Sequence, residues 1–132
     1  MVNKLQVYTD GASKGNPGKA SIGVSVLNEG QEIESISKTI GMQTNNFAEY
    51  TALIEALKLL SEKYSGSEIE VFADSELMIK QLNGVYKVKN ANIKPLYESI
   101  RKLLPSFATV SFTHVRREFN KRADELANLA LN

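Results

Sequence analysis

The chain has 132 residues, with 16 basic and 15 acidic side chains and no cysteine. This length suffices for one domain with a substantial core, which we expect over residues 1–132, and the absence of cysteine excludes disulfide and thiolate sites. No apolar run approaches the roughly 18 residues of a membrane span and no secretory pattern opens the sequence, so we expect a cytoplasmic protein without a membrane partner. The sequence leaves the oligomeric state open, and a monomer is our default expectation.

The first 40 residues alternate between apolar and polar side chains, a pattern typical of β-strands. We predict strands over residues 4–10, 21–27 and 32–40, with a turn at 28–30. Three consecutive strands with short connections indicate an antiparallel meander.

Beyond residue 45 the apolar spacing becomes helical. The further predicted elements are helix 46–63, strand 69–73, helices 75–82 and 93–104, strand 109–115, and a last helix capped by Asn120 that runs to 131. A strand that follows a helix in the same sheet needs a crossover connection. The order therefore predicts an α/β fold: a mixed five-stranded sheet, with three antiparallel strands and then parallel crossovers, flanked by helices.

The stretch YTDGASKGNPG, residues 8–18, places Asp10 at the predicted end of the first strand and follows it with three glycines. Asp-Gly is common in turns, which offers a structural explanation. Glycines beside a carboxylate also let a charged ligand approach the backbone closely. Asp10 alone does not decide between these two interpretations.

Glu49 is the acid that is hardest to explain by solvation. On the predicted helix it shares a face with Leu53, Ala56 and Leu60, the apolar stripe that must pack on the sheet. An acid near a helix N-terminus gains under about 1 kcal/mol from the helix dipole. That gain explains its place along the helix but not its inward direction.

Asp74 and Asp124 have ordinary explanations when each is taken alone, as a helix cap and as an exposed acid in a first helical turn. However, Asp10 and Asp74 end strands that we expect to be neighbours, and ligand sites of open α/β sheets lie beyond such strand ends. Converging carboxylates repel one another unless cations bind them, and oxygen ligands favour Mg²⁺ or Mn²⁺ over Zn²⁺. Paired divalent ions are a recurring device for phosphodiester cleavage.

Four segments carry a resemblance to a known family. They are YTDGASKGNPG at 8–18, TNNFAEYTALIEAL at 44–57, DSELMIKQLNGVYKVKN at 74–90 and HVRREFNKRADELAN at 114–128. In these motifs and in their order the chain resembles type I ribonuclease H, in particular its compact bacterial and archaeal branch, without a hybrid-binding domain or a basic protrusion.

The resemblance implies the ribonuclease H-like fold and endonucleolytic hydrolysis of the RNA strand of RNA/DNA hybrids, which leaves a 3′-hydroxyl and a 5′-phosphate. It also implies two Mg²⁺ ions, replaceable by Mn²⁺, held by Asp10, Glu49, Asp74 and Asp124, with Asp10 as the bridging ligand. The nucleic-acid contacts that we assign on the same motifs are Gly11, Asn16, Thr44, Asn45, Asn46, Ser75, Lys87 and Lys89. Several of these would read ribose 2′-hydroxyls, which distinguish RNA from DNA.

Long members of the family carry a mobile histidine in the loop before the last acid. Here the single histidine, His114, shares a face of its predicted strand with Val110 and Phe112. We therefore interpret His114 as structural and assign the role of auxiliary catalytic cation to Arg117.

A second departure from the long members is the short segment 84–92 in place of a basic, tryptophan-containing protrusion. Residues 80–102 still carry six basic side chains against one acid, which is consistent with a phosphate-binding surface or with a solvated one. Lys87 and Lys89 would replace the protrusion in part, which predicts weaker and more salt-sensitive hybrid binding than in the long members.

Two alternatives stay open at this point. One is a nuclease of relaxed specificity that also cuts double-stranded RNA, and the other is a non-catalytic or weakly active nucleic-acid-binding member of the same fold. Four intact acids argue against the second alternative. Glu76, beside the expected substrate path, would repel phosphate and so argues for it.

Overall fold

The computed structural model describes residues 3–132, and the elements in that range follow the predicted order. The strands are β1 (Lys4–Gly15), β2 (Gly18–Asn28), β3 (Gln31–Gln43), β4 (Glu68–Ala73) and β5 (Thr109–His114). The helices are α1 (Asn45–Lys63), α2 (Glu76–Leu82), α3 (Lys94–Leu103) and α4 (Lys121–Leu131), with 3-10 turns at Leu104–Ser106 and Arg117–Phe119.

The strands form one sheet in the order β3-β2-β1-β4-β5. β1, β2 and β3 pair antiparallel, whereas β4 runs parallel to β1 and β5 parallel to β4. The predicted mixed five-stranded sheet is confirmed. The parallel pairing of β1 with β4 requires the long connection that α1 provides.

The two faces of the sheet are covered by different helices. Apolar side chains at alternate positions of the central strands, including Val7, Val24 and Val71, form the core together with α1. On the opposite face the hydroxyl of Ser21 donates to the Ala127 carbonyl of α4 at 2.5 Å. Because Asp10 lies where both helices meet β1, the sheet brings residues of α1 and α4 towards the same point.

β1 does not end at Asp10, which corrects the predicted strand boundary. Its parallel pairing with β4 ends at Thr9 opposite Ala73, but its antiparallel pairing with β2 continues to Gly15 opposite Gly18. β2 supplies hydrogen-bond partners to a segment whose Gly, Ser and Lys residues favour a loop. Asp10 therefore lies inside the β1–β2 hairpin, at the position where β1 leaves the parallel part of the sheet.

The predicted start of helix 75–82 is confirmed to within one residue, with Ser75 rather than Asp74 as its cap, whereas the predicted capping of α4 by the Asn120 side chain is wrong. Ser75 Oγ accepts a hydrogen bond from the Met78 amide at 3.3 Å and caps α2. Asn120 precedes α4, but its side chain makes no capping hydrogen bond. The side-chain amide of Asn120 points into the protein instead, where the Thr9 carbonyl accepts its hydrogen bond.

Between residues 3 and 132, no helix combines the length and the apolarity needed to cross a membrane.

Candidate active site

Two glycines allow helices to approach the backbone around Asp10 from both faces of the sheet. A Cβ atom on Gly11 would overlap the backbone of Ala48 and Glu49 in α1. A Cβ atom on Gly23, which lies opposite Asp10 in β2, would overlap the Ala123 carbonyl in α4. Glycine at residue 11 thus has a packing role, and its predicted contact with nucleic acid stays a prediction.

Three of the four predicted acids meet at this point. Asp10 is 3% exposed and Glu49 is 7% exposed, while Asp74, which follows β4, is half-buried. One carboxylate oxygen from each of the three lies within 4.8 Å of the others. Glu49 also accepts a hydrogen bond from the Gly11 amide, which holds the start of α1 against β1.

Burial and mutual repulsion raise the pKa of the two innermost acids. Desolvation, followed by the charge of Asp74, raises the pKa of Asp10 from its ordinary value of 3.8 to about 7, although a hydrogen bond with Glu49 acts in the opposite direction. Desolvation, followed by the charge of Asp10, raises the pKa of Glu49 well above its ordinary range. The ionised cluster is therefore costly in the absence of a cation.

The donor set fits a divalent metal ion. Asp10 Oδ2 is buried and has no hydrogen-bond partner, so it is free to act as a ligand. Three converging carboxylates provide hard oxygen ligands, which Mg²⁺, Mn²⁺ and Ca²⁺ prefer. A bound cation would stabilise the ionised forms and remove the repulsion within the cluster.

Asp124 lies in the first turn of α4, just outside the group of three. It is close enough to Asp10 to contribute to the raised pKa of that residue, and its side chain is 33% exposed. Arg117, from the 3-10 turn before α4, places a guanidinium nitrogen 3.9 Å from an Asp124 oxygen. The structure thus brings the fourth acid and the proposed auxiliary cation to the same side of the cluster.

A cleft of about 650 Å³ opens at the acids. The predicted site residues that line it are Asp10, Gly11, Asn45, Asn46, Glu49, Asp74, Ser75 and Arg117. Lys87 instead borders a separate hollow with Tyr86 and Lys94, so the structure does not bring the predicted basic contacts into the cleft.

Asn16 and Thr44 stabilise the start of α1. The Asn45 amide donates to Asn16 Oδ1 at 3.1 Å, and the Phe47 amide donates to the Thr44 hydroxyl at 3.2 Å. The donor groups of both side chains are still available. Asn46 differs, because its Oδ1 is buried at the cleft and no group donates a hydrogen bond to it.

Six residues that line the cleft were not predicted from the sequence: Ala12, Ser13, Lys14, Leu77, Asn128 and Leu131. Lys14 was missed because β1 was predicted to end at residue 10. On the extended β1, Asp10, Ala12 and Lys14 lie on one face, which a strand prediction over the whole hairpin would have indicated. Asn128 and Leu131 come from the far end of α4, for which the sequence gives no local signal.

His114 is the last residue of β5 and is exposed, so the structure does not support the predicted structural role beside Val110 and Phe112. It is also not among the residues that line the cleft. Arg117 does line it. This placement favours Arg117 over His114 as the auxiliary cation.

Comparison with known proteins identifies the family. Residues 8–130 match the family model described as reverse transcriptase-like. The chain is 42% identical to ribonuclease HI of Halobacterium salinarum over 98% of its own length, and the crystal structure of that RNase H1 superposes with a TM-score of 0.92, each chain being covered to 97%. The crystal structure of LC11-RNase H1 in complex with an RNA/DNA hybrid has a TM-score of 0.90 at 44% identity, with 96% of this chain and 95% of that chain covered.

The relatives differ in length. The chain spans 65% of the Halobacterium protein and 36% of the bifunctional protein Rv2228c of Mycobacterium tuberculosis, to which it is 35% identical. By contrast, it spans 97% of a ribonuclease H of Clostridium botulinum at 34% identity, and 99% of the chain is aligned there. With these matches along nearly its whole length, and with the same fold, the chain belongs to the type 1 ribonuclease H family.

Proposed function

We propose that the chain is a metal-dependent endoribonuclease that hydrolyses the RNA strand of RNA/DNA hybrids and leaves a 3′-hydroxyl and a 5′-phosphate. The observation that carries the proposal is the set of three carboxylates within 4.8 Å of one another in an open cleft, with Asp124 beside them. The relative whose structure contains an RNA/DNA hybrid supports the choice of substrate.

Asp10, Glu49, Asp74 and Asp124 would hold two Mg²⁺ ions, with Mn²⁺ as a substitute and Asp10 as the shared ligand. When bound, such ions supply Lewis acidity, which lowers the pKa of an attacking water and offsets charge on the leaving 3′-oxygen. The unpartnered Oδ2 of Asp10 supports its role as the shared ligand, because one oxygen of this buried carboxylate has no bond to give up.

Arg117 would act on the phosphate rather than on the ions. Its side chain is 80% exposed and borders the cleft, so the guanidinium can reach a phosphate without leaving a buried position. A cation beside the reacting phosphate stabilises the charge that develops in the transition state.

Residues on the rim of the cleft would select RNA. The buried, unpartnered Oδ1 of Asn46 suits a hydroxyl donor, and a ribose 2′-hydroxyl is the donor that a deoxyribose lacks. The remaining proposed contacts are Gly11, Asn16, Thr44, Asn45 and Ser75 near the cleft, and Lys87 and Lys89 farther away. We further propose one domain over residues 1–132, a monomer in solution, and a cytoplasmic location.

The test is cleavage of a labelled RNA/DNA hybrid, beside double-stranded RNA and double-stranded DNA, with Mg²⁺, with Mn²⁺ and with chelator. We expect metal-dependent cutting of the RNA strand of the hybrid only. Asp10→Asn should abolish cutting, whereas Glu62→Gln, the same kind of change on the exposed face of α1, should preserve it. Cutting of double-stranded RNA at a comparable rate would establish relaxed specificity, and binding without cutting in either metal would refute the nuclease proposal.

A further inference from the structure

Asn120 is a buried amide at the junction between the 3-10 turn and α4. It is 1% exposed, which is unusual for a polar residue at a helix start. The local sequence favours a capping role, in which the side-chain oxygen would accept a bond from the first turn of α4. That bond is absent, and the side chain is directed at the strands instead.

The side-chain nitrogen of Asn120 contacts two segments that carry acids. Nδ2 donates to the carbonyl of Thr9, the residue before Asp10, at 2.9 Å, and to Oδ2 of Asp74 at 3.4 Å. Both partners can only accept, so the assignment of Nδ2 rather than Oδ1 to this side follows from the bonding network. One amide group thus links the segment of Asp10 to the carboxylate of Asp74.

The backbone of Asn120 reaches the other side of the site. Its amide donates to the Arg117 carbonyl at 2.9 Å, and its carbonyl accepts from the Asp124 amide at 3.1 Å. Asn120 is therefore hydrogen-bonded to Asp74, to Asp124 and to Thr9, the neighbour of Asp10. It is also hydrogen-bonded to Arg117, the residue proposed as the auxiliary cation. The bond to Thr9 spans 111 positions in the sequence.

The chemistry of the amide suits this position. A lysine or arginine there would neutralise Asp74 and compete with a metal ion, while an acid would add to the repulsion that raises the pKa of Asp10. A neutral donor fixes one oxygen of Asp74 and leaves the cluster its negative charge. Asn120 Oδ1 is buried without a partner, a cost that capping would have relieved, so the orientation of the amide is set by its donor side.

We propose that Asn120 is a positioning residue: it fixes the Asp74 carboxylate and the spacing between Asp10, Asp74 and Asp124 at which they bind divalent ions. The predicted effect of Asn120 on kcat rests on the proposed function, whereas its predicted effect on metal affinity does not. Partners that orient metal ligands typically change metal affinity or activity by 10- to 100-fold when removed.

The experiment compares Asn120→Ala and Asn120→Asp with the wild type. Mg²⁺ affinity is measured by calorimetry without substrate, stability by thermal unfolding in chelator, and kcat and KM on the hybrid. We expect Asn120→Ala to weaken Mg²⁺ binding and to lower kcat by roughly 10- to 100-fold, with KM changed less than about two-fold. Asn120→Asp keeps the size of the side chain but has no N–H donor, so its kcat should fall as well.

Gln81→Ala is the matched control. Gln81 is another buried amide, which accepts a 2.5 Å hydrogen bond from the Tyr50 hydroxyl and borders the hollow of Lys87 rather than the cleft of the acids. It should lower the unfolding temperature while Mg²⁺ affinity and kcat stay unchanged.

The proposal is overturned if Asn120→Ala behaves like Gln81→Ala, or if Asn120→Asp retains the kcat of the wild type. Should Asn120→Ala fail to fold, Asn120→Asp still decides by its kcat. If the wild type binds Mg²⁺ but does not cut the hybrid, the proposed function fails, and the calorimetric comparison still tests Asn120.

Discussion

Asp10 lies buried at the centre of the site, where we expect its ionised form to destabilise the metal-free protein. A buried carboxylate with a second one nearby is expensive in the ionised form. The same environment makes it a good ligand, because an ion that binds there gains an unsolvated, unpartnered oxygen. Stability and metal binding are therefore coupled through this one side chain.

The pH dependence of stability tests this coupling. The pKa of Asp10 rises from 3.8 to about 7 on folding, so the folded state holds a proton that the unfolded state has lost between these values. The free energy of unfolding should consequently fall as the pH rises from about 4 to about 7.

In chelator we expect a lower unfolding temperature at pH 8 than at pH 5, and a smaller difference in Asp10→Asn. Mg²⁺ should raise the unfolding temperature of the wild type more at pH 8 than at pH 5, because it binds the ionised cluster of the folded state. Circular dichroism followed through thermal unfolding measures both effects. An Asp10→Asn variant with the full pH dependence of the wild type would contradict this account.

Arg117 and His114 make a second test at the residue level. Arg117 borders the cleft and lies 3.9 Å from Asp124, whereas His114 is exposed at the end of β5. Arg117→Ala should lower kcat more than His114→Ala, by roughly 10-fold or more if the guanidinium stabilises the transition state. Steady-state kinetics on the hybrid measure the order, and the reverse order would return the auxiliary role to the histidine.

At the level of elements, the approach of α1 and α4 to β1 and β2 depends on Gly11 and Gly23. Adding a methyl group at residue 23 forces the Ala123 carbonyl away, and overpacking of this kind costs about 1–3 kcal/mol or more. We expect Gly23→Ala to lower the free energy of unfolding by that amount and to weaken Mg²⁺ binding, since α4 carries Asp124.

Gly84→Ala is the comparison for this variant. Gly84 has a φ of 79° but open space around it, so its substitution brings backbone strain without a clash. Denaturant unfolding and calorimetry should show a smaller stability loss and an unchanged Mg²⁺ affinity. Equal effects of the two substitutions on Mg²⁺ affinity would disprove the packing argument.

The elements also show where prediction from sequence succeeds. The helical spacing of Glu49 with Leu53 and Leu60 predicted its inward direction, because the period of a helix fixes which residues share a face. The extension of β1 beyond Asp10 was missed, since the partner strand rather than local composition stabilises it. The orientation of Asn120 was missed for a similar reason: its acceptor on Thr9 is distant in sequence, and local propensity favours a cap.

At the level of the whole molecule, Lys87 and Lys94 border a different hollow from the one that the acids line. Lys87 and Lys89 are exposed. Their role in hybrid binding is measurable on the Asp10→Asn background, in which we expect no cutting. Replacing both by alanine should reduce the slope of log affinity against log salt by roughly 1–2. The double variant Lys4→Ala, Lys58→Ala removes the same charge elsewhere and should leave the salt slope unchanged. If both double variants change the slope equally, Lys87 and Lys89 have no specific role in binding phosphate.

The long-range tie between Thr9 and Asn120 has a consequence for synthesis of the protein. Asp10 leaves the ribosome before α4, which carries Asp124 and is the last element of the described chain to emerge. A nascent chain that has emerged only as far as β4 therefore lacks both Asp124 and Asn120, the amide proposed to space the acids. Nuclease activity should accordingly arise in a single late step of folding rather than by degrees, so that unfinished chains carry the acids without the capacity to cut the RNA around them.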